Sequence, residues 1–240
     1  MPARYRAIFF DLDGTLLDER HGTAEARAAA NATLRAHGYP LPDATFNAAV
    51  QEIVDQLLAT HDGNWPASYS RPRLFEQVLQ QIGVAPEPAA ELAPRLAAAY
   101  GAARLEHLAL LPGARALLRT WSRRRPLGLI SNGLAQEQRE KIRRCDLTQY
   151  FCTIVISGEV GVEKPDSGIF TIALQRLEVG AAVSVHIGNS LTTDVAGAVQ
   201  AGMDSVWIDH GGAGLPATSP VQPTVIIRSL EEAGPFLDGA

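Results

Sequence analysis

The apolar pattern begins at Ala7-Ile8-Phe9-Phe10, four residues without polar alternation, and predicts a strand covered on both faces. Beyond Asp18 the pattern becomes helical. An Ala-rich helix is expected over 23–37, stopped by Gly38. Asp43 stands as the N-cap of a second helix, with Phe46, Ala49, Val50, Ile53 and Leu57 on one face. Pro72 lies near the start of a third, with Leu74, Phe75, Val78 and Ile82 inward and Gly83 closing it, and a fourth covers roughly 89–105. From Pro112 helix and strand alternate. Ala114, Leu117, Leu118 and Trp121 form a helical stripe, and Pro126 breaks it before a strand at 127–130. Further strands are expected at 153–156, 183–187, 206–208 and 224–227, with helices at 135–144, 167–177 and 192–201, the last ended by Gly202. Repeated βα units predict an α/β fold: a doubly wound, Rossmann-like, mostly parallel sheet with right-handed crossovers. The Gly/Pro-rich stretch 211–223 reads as a surface loop.

Composition narrows the class without naming a function. With 240 residues, 46% hydrophobic and 20% charged, the chain can bury a core as one large domain or two small ones. It has no apolar run long enough to span a bilayer, so no membrane association is expected. The first residues, Met1-Pro2-Ala3-Arg4, do not resemble an export signal, and two cysteines cannot build a disulfide framework, so a cytoplasmic location is expected. A formal net charge of −5 disfavours nucleic acid as a partner.

In an open parallel sheet, ligands bind beyond the carboxyl ends of the strands. The residues there are Asp11-Leu12-Asp13-Gly14-Thr15, Ser131-Asn132-Gly133, Lys164-Pro165 and Gly188-Asn189-Ser190, with Asp194 just inside the following helix. Asp11 and Asp13 are two apart, so in extended chain they face one way and repel unless a cation lies near. Hard oxygens suit Mg²⁺, which readily shares its shell with phosphate and water. Ser131 with neighbouring N–H groups is a plausible anion cradle, and Lys164 supplies a point charge for a phosphate oxygen.

Phe10-Asp11-Leu12-Asp13-Gly14-Thr15-Leu16, followed in order by Ser131, Lys164 and Asp194, resembles the haloacid dehalogenase (HAD) superfamily of phosphohydrolases. Asp11 and Ser131 are 120 residues apart, against 33 from Ser131 to Lys164 and 30 from Lys164 to Asp194. A βα unit needs about 30 residues, and in this superfamily the surplus is where a helical C1-type cap is inserted. The resemblance therefore implies a core of 1–19 plus 106–240 and a cap of 20–105. It also implies Asp11 as nucleophile forming an aspartyl-phosphate, and Asp13 as acid and then base. Ser131, Asn132 and Lys164 would hold the phosphoryl group. Mg²⁺ would be held by Asp11, Asp13 through its carbonyl, Asn189 and Asp194, the last directly or through water, or else Asp194 would orient Lys164.

The superfamily's fourth motif usually begins Gly-Asp, and here it is Gly188-Asn189, which implies weaker Mg²⁺ binding. Dehalogenase members lack the second aspartate that is present here as Asp13, which favours phosphoester chemistry. The expectation is a Mg²⁺-dependent phosphatase of a small phosphomonoester. A phosphomutase of the same superfamily, or a phosphate-binding regulatory protein with weak turnover, stands as the alternative. His186 is expected to be a buried, satisfied histidine, Arg123-Arg124-Arg125 a solvated helix end, and Cys145 and Cys152 core or near-core residues. Trp65, Tyr69, Arg71 and Arg73 are candidates for a cap surface, or equally a joining loop and helix start.

Overall fold

The computed structural model describes residues 4–18, 20–60 and 70–239. The chain forms two compact units, Arg20–Leu108 and the combination of Met1–Glu19 with Ala109–Ala240.

The first of these units is helical: α1 (Thr23–Ala36), α2 (Asp43–Thr60), α3 (Arg71–Gln81) and α4 (Pro86–Glu106). Small residues at helical spacing let α1 pack closely, with Ala26, Ala30, Asn31 and Leu34 buried. Phe46, Val50 and Ile53 of α2 join Leu74, Phe75, Val78 and Leu79 of α3 and Ala89, Leu92, Ala93 and Leu96 of α4 in one core. The rings of Phe46 and Phe75 stack at its centre, 6.3 Å apart. Asp43 is the first residue of α2 rather than the residue before it, and its carboxylate accepts from Asn31 Nδ2 at 2.6 Å and Arg35 Nη1 at 2.9 Å. A cap role is thereby replaced by a tie between helices. Ser70 caps α3 instead, accepting from Arg73 N, with Pro72 in the first turn. Trp65 and Tyr69 lie outside the described residues.

The second unit is a six-stranded parallel sheet: β1 (Ala7–Phe10), β2 (Leu127–Ser131), β3 (Thr153–Ile156), β4 (Ser184–Gly188), β5 (Asp204–Ile208) and β6 (Val225–Ile227), in the order β3-β2-β1-β4-β5-β6. The helices are α5 (Ala114–Trp121), α6 (Ala135–Arg144), the single turn α7 (Ser157–Val160), α8 (Ser167–Leu177), α9 (Ala196–Gln200) and α10 (Leu230–Gly239). This is the doubly wound α/β architecture expected from the alternating pattern. All four residues of β1 are fully buried, which is why its sequence shows no alternation. Ala7 and Phe9 face a layer with Ile169, Phe170 and Ala173 of α8. Gly128 of β2 is needed beside them, since a Cβ there would overlap the Phe9 ring.

Three local departures from the expected pattern have physical reasons. The stretch expected as a helix over 192–201 begins as a π-helical turn, Leu191–Val195, and only then becomes α9, with Ser190 accepting from Thr193 N at its start. Cys145 is buried, but Cys152 is exposed at the entrance to β3 and so is not a core residue. The helix α10 is not legible in the pattern because Gly234, Pro235 and Gly239 dilute its apolar stripe.

Candidate active site

The strand ends bring the motifs together. In the ladder, Phe10 pairs with both Leu129 and Ile187, so β1, β2 and β4 end within two residues of one another. Asp11 N donates to Ile187 O at 3.0 Å, extending the ladder by one residue before the chain turns at Gly14, whose φ of 77° only glycine adopts readily. The crevice beside β1, where successive connections run to opposite sides, is where ligands bind in such sheets.

Lys164 is the hub of the site. Its Nζ donates to Asp11 Oδ1 and to Asp194 Oδ1, each at 2.6 Å, with all three side chains buried. Two of its three N–H donors are thus committed and one remains for a further acceptor. Burial pushes the Asp11 carboxyl up to about 7, against the pull of the Lys164 ammonium and with the Asp194 charge adding to the rise. For Asp194, burial alone would raise the carboxyl. Lys164 and His186 outweigh it and hold the group below the ordinary carboxylate range. Burial works against the Lys164 charge as well, but its two carboxylates keep it firmly protonated.

Asp194 is held on every side. Oδ1 also receives His186 Nε2 at 3.1 Å, and Oδ2 accepts from Ser190 N at 3.0 Å. The π-helical turn projects this carboxylate back toward β4, where a Cβ on Gly188 would overlap it. His186 is fully buried as expected, but only its Nε2 is satisfied: Nδ1 has no partner. Burial lowers its pKa.

The remaining motif residues take distinct positions. Asn132 clamps the main chain of Lys164 in both directions, its Oδ1 accepting from Lys164 N at 2.8 Å and its Nδ2 donating to Lys164 O at 2.9 Å. Its amide is therefore committed to placing Lys164, whose bond to Pro165 is cis. Asn189 Oδ1 accepts from the Thr15 hydroxyl at 3.1 Å, and its carbonyl accepts from Trp207 Nε1 at 2.9 Å.

Two side chains that no motif reading singled out complete the arrangement. Lys141 Nζ donates to both oxygens of Asp13, at 2.9 and 2.8 Å. Gln138, one turn earlier on α6, donates from Nε2 to Asp13 Oδ2 at 2.7 Å and to Ser131 Oγ at 2.6 Å. Their spacing of three is the available signal: it places both on one face of a helix that starts just after Ser131. Buried Gln138 thus links the first two motifs directly.

The donor set suits a hard cation. Among the described residues, no three His, Cys, Asp or Glu side chains converge to cage an ion. Mg²⁺ does not require such a cage, since it binds through one or two carboxylates and keeps several waters. With both carboxylates ionised, Asp11 and Asp194 carry one more charge than Lys164 neutralises. Neutral oxygens from Asn189 and the main chain lie on the same strand ends.

Residues 5–202 match the family of haloacid dehalogenase-like hydrolases. The chain is 32% identical over 209 residues to the glyceraldehyde 3-phosphate phosphatase of Methanopyrus kandleri, covering 86% of this chain and 84% of that protein. It is 34% identical over 254 residues to the phosphoserine phosphatase of Thermus thermophilus, covering 95% and 97%. Among solved structures, the magnesium-bound HAD-hydrolase YfnB of Bacillus subtilis superposes with a TM-score of 0.76 at 26% identity, covering 98% of this chain and 99% of that one. Among the described residues, no helix is long and apolar enough to cross a membrane.

Proposed function

Because the chain belongs to the haloacid dehalogenase-like hydrolases, we propose that it is a phosphoric monoester hydrolase acting on a small phosphomonoester through a phosphorylated Asp11, with Mg²⁺ as cofactor. The observation that carries this reading is the buried Asp11–Lys164–Asp194 triad at the ends of β1 and β4. Similarity to named phosphatases of small phosphate esters supports hydrolysis over group return to a sugar. The presence of Asp13, with a partner on each oxygen, supports turnover over phosphate binding alone.

Asp11 Oδ2 is the attacking atom, because Oδ1 is engaged by Lys164. Attack on phosphorus forms the Asp11–phosphorus bond and breaks the bond from phosphorus to the leaving oxygen. In its protonated form, reached when a bond from Lys141 or Gln138 opens, Asp13 gives its proton to that oxygen and then regains one from the water that releases phosphate from Asp11. Lys141 and Gln138 hold the Asp13 carboxylate in one orientation. The remaining N–H of Lys164, the Ser131 hydroxyl and the main chain at Asn132 neutralise or bind the phosphoryl oxygens. Asp11, Asp194, Asn189 and the Asp13 carbonyl would hold Mg²⁺, which supplies charge neutralisation for the transferring phosphoryl group when bound. Arg20–Leu108 serves as the cap that excludes water and selects the leaving group. The expected setting is the cytoplasm.

The test is phosphate release from p-nitrophenyl phosphate and a panel of small phosphomonoesters, with Mg²⁺ and with chelator. Turnover that needs the metal and is lost in Asp11→Asn is the expected result. An inert wild type across metals and substrates defeats the proposal, and hexose-phosphate interconversion without phosphate release would replace it with the mutase.

A further inference from the structure

His186 is fully buried in the middle of β4, and the chemistry above gives it no task. Its partners in the ladder are Phe9 on β1 and Ser205 on β5. The Phe170 ring of α8 meets the imidazole in a T-shaped contact, with centroids 5.1 Å apart. Gly197 leaves room for that ring, which a Cβ there would overlap. An apolar side chain would suit these surroundings at lower cost than an imidazole.

The cost is visible at Nδ1, which is buried and has no hydrogen-bond partner among the described residues. Ser205 Oγ, at the paired position, is likewise buried and unpartnered, so it does not serve Nδ1. Only Nε2 is engaged, by Asp194 Oδ1 at 3.1 Å. That oxygen also accepts from Lys164 Nζ at 2.6 Å, and an ionised carboxylate can only accept, so the ring proton sits on Nε2.

What this bond does follows from where it lands. Ser190 N fixes Asp194 Oδ2, while His186 and Lys164 fix Oδ1 from two directions. The Lys164 ammonium is tetrahedral, so its bonds to Asp11 and Asp194 leave its third N–H one direction. We propose that His186 is a positioning residue for phosphoryl transfer: by holding Asp194 Oδ1 through Nε2, it fixes the direction of the free Lys164 N–H. The role in transfer rests on the phosphatase reading above, whereas the hold on Asp194 does not.

The experiment uses the full chain as wild type, His186→Leu, His186→Gln and His186→Asn, with folding checked by circular dichroism. The amide nitrogen of glutamine reaches the place of Nε2, whereas that of asparagine reaches only the place of Nδ1. Rates are measured on p-nitrophenyl phosphate at saturating Mg²⁺. His186→Leu and His186→Asn are expected to lower kcat by about tenfold or more, the worth of one hydrogen bond to a charged group. His186→Gln is expected to recover most of that loss. A role in filling space predicts the opposite order, because leucine suits the apolar surroundings better than glutamine. Where His186→Leu does not fold, His186→Gln against His186→Asn carries the same comparison.

Proton–nitrogen correlation NMR of histidine-labelled protein locates the ring proton, the His186 signals being those lost in His186→Gln. A proton on Nε2 is expected, and one on Nδ1 overturns the proposal. So does a His186→Leu rate equal to wild type or above that of His186→Gln. A loss that further Mg²⁺ restores overturns it as well, because His186 then acts through the metal and not through Lys164. A wild type inert on every phosphomonoester defeats the phosphatase reading, and the spectrum then decides the hold on Asp194 by itself.

Discussion

Replacing Lys164 by Met removes the one cation between two buried carboxylates while keeping most of the side-chain volume. Asp11 is 6% exposed and Asp194 1%, so water replaces the ammonium poorly. Removing one partner of a buried ion pair costs about 3–5 kcal/mol, a large part of a total stability of about 5–15 kcal/mol. The loss depends on pH. Asp11 is already raised from 3.8 to about 7, so it favours the fold at low pH and withdraws that stability as pH rises through about 7. Lys164 pulls this group down, so without Lys164 it lies higher still and opposes folding over a wider range. At about pH 5.5 Asp11 is protonated in both proteins and only the Asp194 contact is lost, whereas at about pH 8 the wild type ionises Asp11 beside Lys164 and the variant must either hold the proton or leave two carboxylates facing each other. Urea unfolding of metal-free wild type and variant at the two pH values measures this, with slopes compared to confirm that the denatured state is unchanged. The variant is expected to lose more stability at the higher pH, and excess Mg²⁺ to narrow the gap. A loss below about 1 kcal/mol, the range of an exposed pair, at both pH values would refute the reasoning.

Three other substitutions probe the same site. Lys141→Met removes both charge-assisted bonds to Asp13 and is expected to lower kcat by about 10- to 100-fold with little change in KM, as measured by steady-state kinetics. Asn189→Asp adds a charged oxygen at the proposed metal position, and the Mg²⁺ concentration for half-maximal activity is expected to fall by about tenfold. Gly188→Ala drives a Cβ into the Asp194 carboxylate; it is expected to cost about 1–3 kcal/mol in thermal unfolding and to depress kcat as well.

Strands were the most legible part of the fold because each buries both faces. The run Ala7-Ile8-Phe9-Phe10 has no competing helical period, and β1 occupies those four residues. Boundaries were less legible where side chains form ties that a pattern does not show, as at Asp43, which answers Asn31 and Arg35 across helices. The π-helical turn before α9 is set by Ser190 and the Asp194 carboxylate, a local polar arrangement superimposed on an ordinary apolar stripe. In the site, residues just after strands could be found by position alone, and the structure gathers Asp11, Lys164 and Asp194 into one cluster. Gln138 and Lys141 escaped because they are polar residues on a largely polar helix, and only the fold shows which face meets Asp13. The sequence puts Asn132 among the expected substrate ligands, whereas its amide grips the Lys164 backbone, a contact across 32 positions that no spacing rule reveals.

The central claim is that Asp11 carries the phosphoryl group. Rapid acid quench of wild type during turnover of a radiolabelled phosphomonoester, followed by peptide mapping, tests it directly. The expected result is label on the peptide containing Asp11, labile at alkaline pH as an acyl phosphate and absent in Asp11→Asn. Label on another residue, or Asp11→Asn turning over at the wild-type rate, would contradict the account.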